Sequence, residues 1–310
     1  LDLQHSTHVI SLTPFDAEER LDEAMLRAHL RRLREAGIGV YLAGSGSGEG
    51  YSLSEAETLR ILQIGVEELK GHVPVRHMGV EPRTAKEMLR LADIAAEAGV
   101  DAMQVYSLDV GHGHMPHIDE MNAYYNEVLS HMRLPAVIST HQSVGYFLPL
   151  DLLADLVDRY DVVGINVTTP DHGYILRMID LLGDRVEIHC GGPMHALSIM
   201  ALGGTGYLSS EGNLAPKLCV SLIRHWDNGD IAAASEAYSR IMHLLAVNGR
   251  YMHITATKTA LSLLGLPGGY PRKPRLMLEG EAREDVRQVI EAQQIAEVEG
   301  IAAAAAGGAR

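Results

Sequence analysis

Apolar positions along this chain follow two alternating rhythms. Runs such as His8-Val9-Ile10-Ser11-Leu12-Thr13 and Gly39-Val40-Tyr41-Leu42-Ala43 are mostly apolar over a few residues, the pattern of short buried strands. After the first of these, Leu26, Leu30 and Leu33 recur at helical spacing. Ser54, with Glu57 three residues later, forms a capping box that opens a second helix, and Thr84 to Ala98 reads as a third. The joints Glu35-Ala36-Gly37-Ile38 and Glu97-Ala98-Gly99-Val100 echo each other: a helix end, a glycine in a left-handed cap, then a buried strand. Strand candidates centre on Ile10, Leu42, Val75, Gln104, Val137, Gly164, Ile188 and Leu208, each followed by a helix-like stretch. This order predicts an α/β fold, a (β/α)8 TIM barrel, with its active site at the C-terminal strand ends. A doubly wound open sheet fits less well, because no G-x-G-x-x-G follows the first strand.

After Leu214 the strand pattern stops. Cys219 to Trp226, Ile231 to Val247, Ile254 to Leu264 and Glu281 to Val298 read as helices. The expected organisation is a barrel over residues 1–225, a C-terminal helical annex over 226–300, and a frayed Ala-Gly tail over 301–310.

Composition narrows the partners. A net charge of −14 over 310 residues offers nothing to neutralise phosphates or an anionic bilayer, so nucleic acid and membrane surfaces are not expected partners. Two cysteines, Cys190 and Cys219, supply neither a disulfide framework nor a zinc spacing. No apolar run is long enough for a membrane span, and Leu1 to His5 lack the basic start and apolar core of a signal peptide. The expected setting is the cytoplasm.

Three stretches carry a resemblance. They are Thr13-Pro14-Phe15-Asp16 with Leu21-Asp22; Ala43-Gly44-Ser45-Gly46-Ser47-Gly48-Glu49 with Leu53-Ser54-Glu55-Ala56-Glu57; and Gly203-Gly204-Thr205-Gly206-Tyr207-Leu208-Ser209 with Asn213-Leu214-Ala215-Pro216. In order and spacing, along with Lys258-Thr259-Ala260-Leu261 in the tail, they resemble the dihydrodipicolinate synthase and N-acetylneuraminate lyase superfamily. The resemblance implies a (β/α)8 barrel with a C-terminal helical region, a homotetramer built as a dimer of dimers, and a lyase acting on pyruvate-like 2-oxo acids.

Carried over position by position, the resemblance places the Schiff-base lysine of strand six on Asn166 and the strand-five proton-relay tyrosine on Ser139, followed by Thr140. The two threonines of the substrate loop fall on Gly46 and Ser47. The tyrosine that follows strand four is replaced by Ser107-Leu108-Asp109-Val110. A carboxamide cannot form a Schiff base, because its nitrogen lone pair is delocalised into the carbonyl. Lys70, Lys86, Lys217, Lys258 and Lys273 are all the lysines present, and none ends a core strand.

Other groups occupy the strand ends. Asn166, Ser139, His141 and Glu211 are the expected catalytic residues, with His141 or Glu211 as acid or base. An ionised Glu211 at the mouth suits a cationic substrate group. Gly46, Ser47 and Gly48 have the shape of a carboxylate-binding turn, and Asp109 and Thr140 complete the expected substrate-binding set. His77 and His189 read as satisfied barrel residues. No cofactor is assigned; His112 and His114, two apart on a loop, are the candidate ligands if a divalent metal is used.

Two function classes follow. The first is a lyase that cleaves or dehydrates a 4-hydroxy-2-oxo acid without a Schiff base, stabilising the enolate by a metal or by hydrogen bonds donated from the Asn166 amide, Ser139 and Ser47. The second is a non-catalytic protein that binds a small acid or serves as a partner subunit. The gain of His, Asp and Glu at the mouth favours the enzyme.

Overall fold

Eight parallel strands pair in chain order, and the eighth pairs with the first to close a barrel. They are β1 (Ser6–Ile10), β2 (Gly39–Leu42), β3 (Val75–His77), β4 (Ala102–Val105), β5 (Ala136–His141), β6 (Val162–Thr168), β7 (Glu187–Cys190) and β8 (Gly206–Ser209). The computed structural model describes residues 3–141 and 144–301. Every strand centre expected from the sequence lies inside one of these strands. Helices α1 (Glu23–Ala36), α2 (Glu55–Leu69), α3 (Ala85–Ala98), α4 (Ile118–His131), α5 (Leu150–Arg159), α6 (His172–Leu182), α7 (Ala196–Ala201) and α8 (Pro216–Asp227) follow the strands in turn.

Local chemistry sets the helix ends. The Ser54 hydroxyl accepts the Glu57 N–H while the Glu57 carboxylate accepts the Ser54 N–H, so the capping box forms as expected. Gly37 and Gly99 stop α1 and α3 with φ of 76° and 80°, a left-handed conformation that costs a side-chain-bearing residue energy. Strand residues of one parity, among them Val9, Val40, Val105, Ile138, Ile165 and Ile188, pack outward under the helices in one continuous core. The other parity faces the axis. There Tyr41, Met78, Tyr106 and Leu208 form a separate small cluster, and His8, Arg76, Gln104, Asn166 and His189 are buried polar residues.

Beyond the barrel lie α9 (Ile231–Arg250), α10 (Ile254–Leu263), α11 (Gly280–Ala292) and α12 (Ile295–Glu299). The sequence suggested one helix from Glu281 to Val298. It breaks instead, because Gln294 takes a left-handed φ of 50°. The expected boundary at 225/226 cuts the last turn of α8, and of the expected tail, residues 302–310 lie outside the described residues. No described helix is long and apolar enough to cross a membrane.

Candidate active site

A cavity of about 240 Å³ opens at the C-terminal strand ends. Its polar wall is Ser45, Gly46, Glu81, Gln104, Tyr106, Ser139, His141, Asn166 and Thr168; Ile10, Met78, Gly191 and Leu208 supply the rest. A larger hollow of about 480 Å³ lies at the opposite end, among Val73, Arg76, Asp101 and Val163. That face stabilises a barrel and does not carry its chemistry, so the smaller cavity is the candidate site.

Strand alternation decides what enters it. On β5, Ser139 and His141 face the axis, whereas Thr140 between them points outward. The Thr140 hydroxyl accepts the Leu148 N–H at 3.1 Å and lies 3.4 Å from the Tyr174 hydroxyl. Thr140 is therefore a packing residue, contrary to the sequence expectation. Ser139 pairs in register with Asn166 on β6, which puts the two side by side.

Asn166 is buried. Its amide nitrogen donates to Gln104 Oε1 at 2.6 Å and to the Tyr41 hydroxyl oxygen at 3.3 Å, and its Oδ1 has no hydrogen-bond partner among the described residues. Both amide protons are thus committed. The expectation that Asn166 donates to a substrate oxyanion does not fit this arrangement. Tyr106, at the end of β4, brings a phenol instead. Burial pushes its pKa up, with Glu81 adding to the shift and hydrogen bonds to Ser45 and Gln104 opposing it. Tyr106 directly precedes the Ser107-Leu108-Asp109-Val110 stretch and is a site residue beyond the sequence expectation.

His141 is half-buried, and burial lowers its pKa, partly offset by the negative charge of Glu81. An imidazole kept neutral beside a carboxylate suits a proton acceptor. Glu81 also accepts a hydrogen bond from the Tyr51 hydroxyl. It, and not Glu211, is the carboxylate of the cavity wall. Glu211 is buried in the turn after β8, where it accepts from Ser209 Oγ at 3.1 Å and Asn248 Nδ2 at 3.3 Å. It ties the barrel to α9 and is not among the lining residues.

The turn after β2 splits in the same way. Ser45 and Gly46 line the cavity, and no backbone-to-backbone hydrogen bond among the described residues uses the N–H groups of Ser45, Gly46, Ser47 or Gly48. Such a run of unused donors can hold an anion. Ser47 donates its hydroxyl to Ser210 Oγ at 2.9 Å and lies behind the wall. Gly48 is needed for close approach: a Cβ there would sit 2.6 Å from the Gly44 nitrogen. Asp109 serves its own loop, accepting the Gly111 N–H at 2.8 Å and pairing with Arg83 at 3.1 Å.

None of the five lysines lines the cavity. Lys258, which the sequence left in the annex, is buried against Glu49; Lys217 bonds the Glu299 carbonyl at 2.7 Å. His112 and His114 are exposed, with ring centroids 6.2 Å apart, and among the described residues no group of three or more metal-binding side chains exists to complete their site.

The dihydrodipicolinate synthetase family profile matches residues 5–293. The chain belongs to this family. Its members are lyases. One relative is the 4-hydroxy-tetrahydrodipicolinate synthase of Methanopyrus kandleri, 30% identical over 283 residues, covering 90% of this chain and 91% of the relative. Another, named as a probable 2-dehydro-3-deoxy-D-pentonate aldolase of Escherichia coli, is 26% identical over 289 residues, covering 91% and 94%. The crystal structure of YagE, an Escherichia coli K12 prophage protein, in complex with pyruvate superposes with a TM-score of 0.84 at 23% identity, covering 95% of this chain and all (100%) of that one, which supports the shared fold. Within this lyase family, the present member carries a carboxamide where the resemblance places the amine.

Proposed function

We propose that this protein cleaves a 4-hydroxy-2-oxo acid by a retro-aldol step that forms no Schiff base. The observation that carries the reading is the pairing of Asn166 at the strand-six position with a cavity wall free of lysine. The substrate carboxylate binds the turn after β2 through the N–H groups of Ser45 and Gly46, the two of its residues that line the cavity. His141 removes the 4-hydroxyl proton, and that oxygen becomes the aldehyde carbonyl as the C3–C4 bond breaks. The bonding pair forms a C2–C3 double bond, and charge develops on the C2 oxygen. Hydrogen bonds from the Tyr106 phenol and the Ser139 hydroxyl stabilise that oxygen, in a site shielded from bulk water. The proton held by His141 returns to the enolate, C3 ends up protonated, and pyruvate leaves. Glu81 supports His141 and faces any cationic end of the substrate, the part first expected of Glu211.

Relatives that include synthases and aldolases support the lyase class. The reading includes a cytoplasmic homotetramer, which sedimentation of the purified protein tests. The decisive experiment incubates the protein with 4-hydroxy-2-oxo acids and follows pyruvate release with and without borohydride and chelator. Pyruvate forms, and borohydride leaves the protein unmodified. A reduced lysine adduct on the wild-type chain would sink the mechanism, and no turnover of any 2-oxo acid would sink the function.

A further inference from the structure

Two polar struts cross the barrel axis. Tyr41 on β2 and Asn166 on β6 stand four strands apart in a ring of eight, and so do Arg76 on β3 and Glu187 on β7. Arg76 Nη1 lies 2.8 Å from the Glu187 carboxylate and donates to the Tyr41 oxygen at 3.3 Å. The Tyr41 oxygen also accepts one amide proton of Asn166, whose other amide proton goes to Gln104. A guanidinium can only donate, so Arg76 and Asn166 both point protons at the one phenol oxygen. The Asn166 side chain is therefore held at two points, and its Oδ1 is left over, buried on the wall of the cavity without a partner among the described residues.

A barrel interior is ordinarily filled by layers of branched apolar side chains. Here a chain of polar groups replaces them and ends at the position where covalent chemistry would otherwise occur. A buried acceptor with no partner is costly by itself, and a ligand that brings a donor relieves the cost. Pyruvate in its keto form has no donor at C2. Its enol has one, the O–H on C2. An acceptor at this point stabilises the enol without stabilising the keto form, which is differential binding of the intermediate.

We propose that Tyr41 and Arg76 are positioning residues: braced across the barrel by Glu187, they hold the Asn166 carboxamide so that Oδ1 accepts the O–H of a bound enol. The inference rests on the non-covalent lyase reading and deepens it. In the cleavage step, the proton taken by His141 from the 4-hydroxyl passes to the C2 oxygen, giving a neutral enol and the aldehyde. The enol becomes pyruvate as C3 gains a proton from the site and the oxygen loses one to it, with no net change.

The test follows exchange of pyruvate methyl protons in D₂O by NMR, beside pyruvate affinity by calorimetry. Wild-type protein exchanges the methyl. Tyr41→Phe lowers the rate at saturating pyruvate by about tenfold or more, while the dissociation constant stays within about twofold or tightens. Arg76→Met combined with Glu187→Gln, which keeps the charge balanced, behaves in the same way. Asn166→Leu gives the same loss of rate should either of these fail the thermal-unfolding check. Variants that exchange at the wild-type rate overturn the inference, as do variants whose rate and affinity fall in equal proportion. Wild-type protein that exchanges nothing overturns the lyase reading itself, and the inference falls with it.

Discussion

Lys258 Nζ lies 2.5 Å from Glu49 Oε1, and neither side chain has any exposed surface. The ammonium also donates to the Thr13 and Tyr270 carbonyl oxygens at 2.7 and 2.8 Å. Glu49 follows directly on the Ser45–Gly48 turn and takes a left-handed φ of 53°. One buried ion pair thus ties α10 of the annex to the turn assigned to the substrate carboxylate. The annex is part of the support of the site.

Breaking that pair leaves one buried charge without its partner. Lys258→Met is expected to destabilise the protein by about 3–5 kcal/mol, and Glu49→Gln to cost less, since an amide remains able to accept. Adding Glu49→Gln to Lys258→Met should recover part of the loss. Urea unfolding of the single and double variants measures the coupling; additive losses would contradict it.

Asn166→Lys returns an amine to the strand-six position. Burial there lowers the pKa of an ammonium and favours the nucleophilic free base. Treatment of this variant with pyruvate and borohydride should give a single reduced adduct by mass spectrometry, located at residue 166. The wild-type chain should give none. An adduct elsewhere in either protein would point to an amine outside this site.

Burial and Glu81 pull the pKa of His141 in opposite directions, burial downward and the carboxylate upward. If His141 is the base, activity falls as pH drops through its pKa. Removing the charge with Glu81→Gln should move that acid limb to lower pH, and His141→Gln should reduce turnover by roughly 10²–10⁴-fold. A pH–rate profile checks both, and an acid limb that moves upward in Glu81→Gln would contradict the pairing.

Buried histidines make the fold sensitive to acid. Burial lowers the pKa of His29 to about 3 and of His77 and His189 to about 4, against 6.5 in an open chain. Between those values only the unfolded chain holds the protons. The contribution of these histidines is therefore fully present above about pH 6.5 and is lost as pH falls toward 4. Each such histidine adds about 1.4 kcal/mol per pH unit to the slope. Urea midpoints from pH 7 to pH 4.5 should fall accordingly, and His189→Gln should flatten the curve.

The barrel was legible in the sequence because each βα unit is a local object. A short apolar strand, a cap and an apolar helical stripe lie within about 35 residues of one another, and eight of them leave few other ways to close a sheet. Asn166 at the strand-six position was legible for a similar reason: it depends on one side chain at one strand end. Other parts of the site were less so. Ser139, Thr140 and His141 are three consecutive site expectations, yet a strand cannot aim three consecutive side chains at one axis. Tyr106 belongs to no sequence motif, and only its place at the mouth of the barrel marks it as a site residue. Glu211 and Glu81 exchanged roles because each sits beyond a strand, where the path of the loop, and not the two-residue alternation, sets direction.

By itself, the sequence determined the order of strands and helices, the (β/α)8 class and the carboxamide at residue 166, since these follow from neighbours in the chain. Only the tertiary structure decided that Asn166 is held by Tyr41, 125 residues away, and Arg76 by Glu187. Those contacts exist because the sheet closes on itself, and closure brings opposite strands face to face across an axis that no local pattern describes.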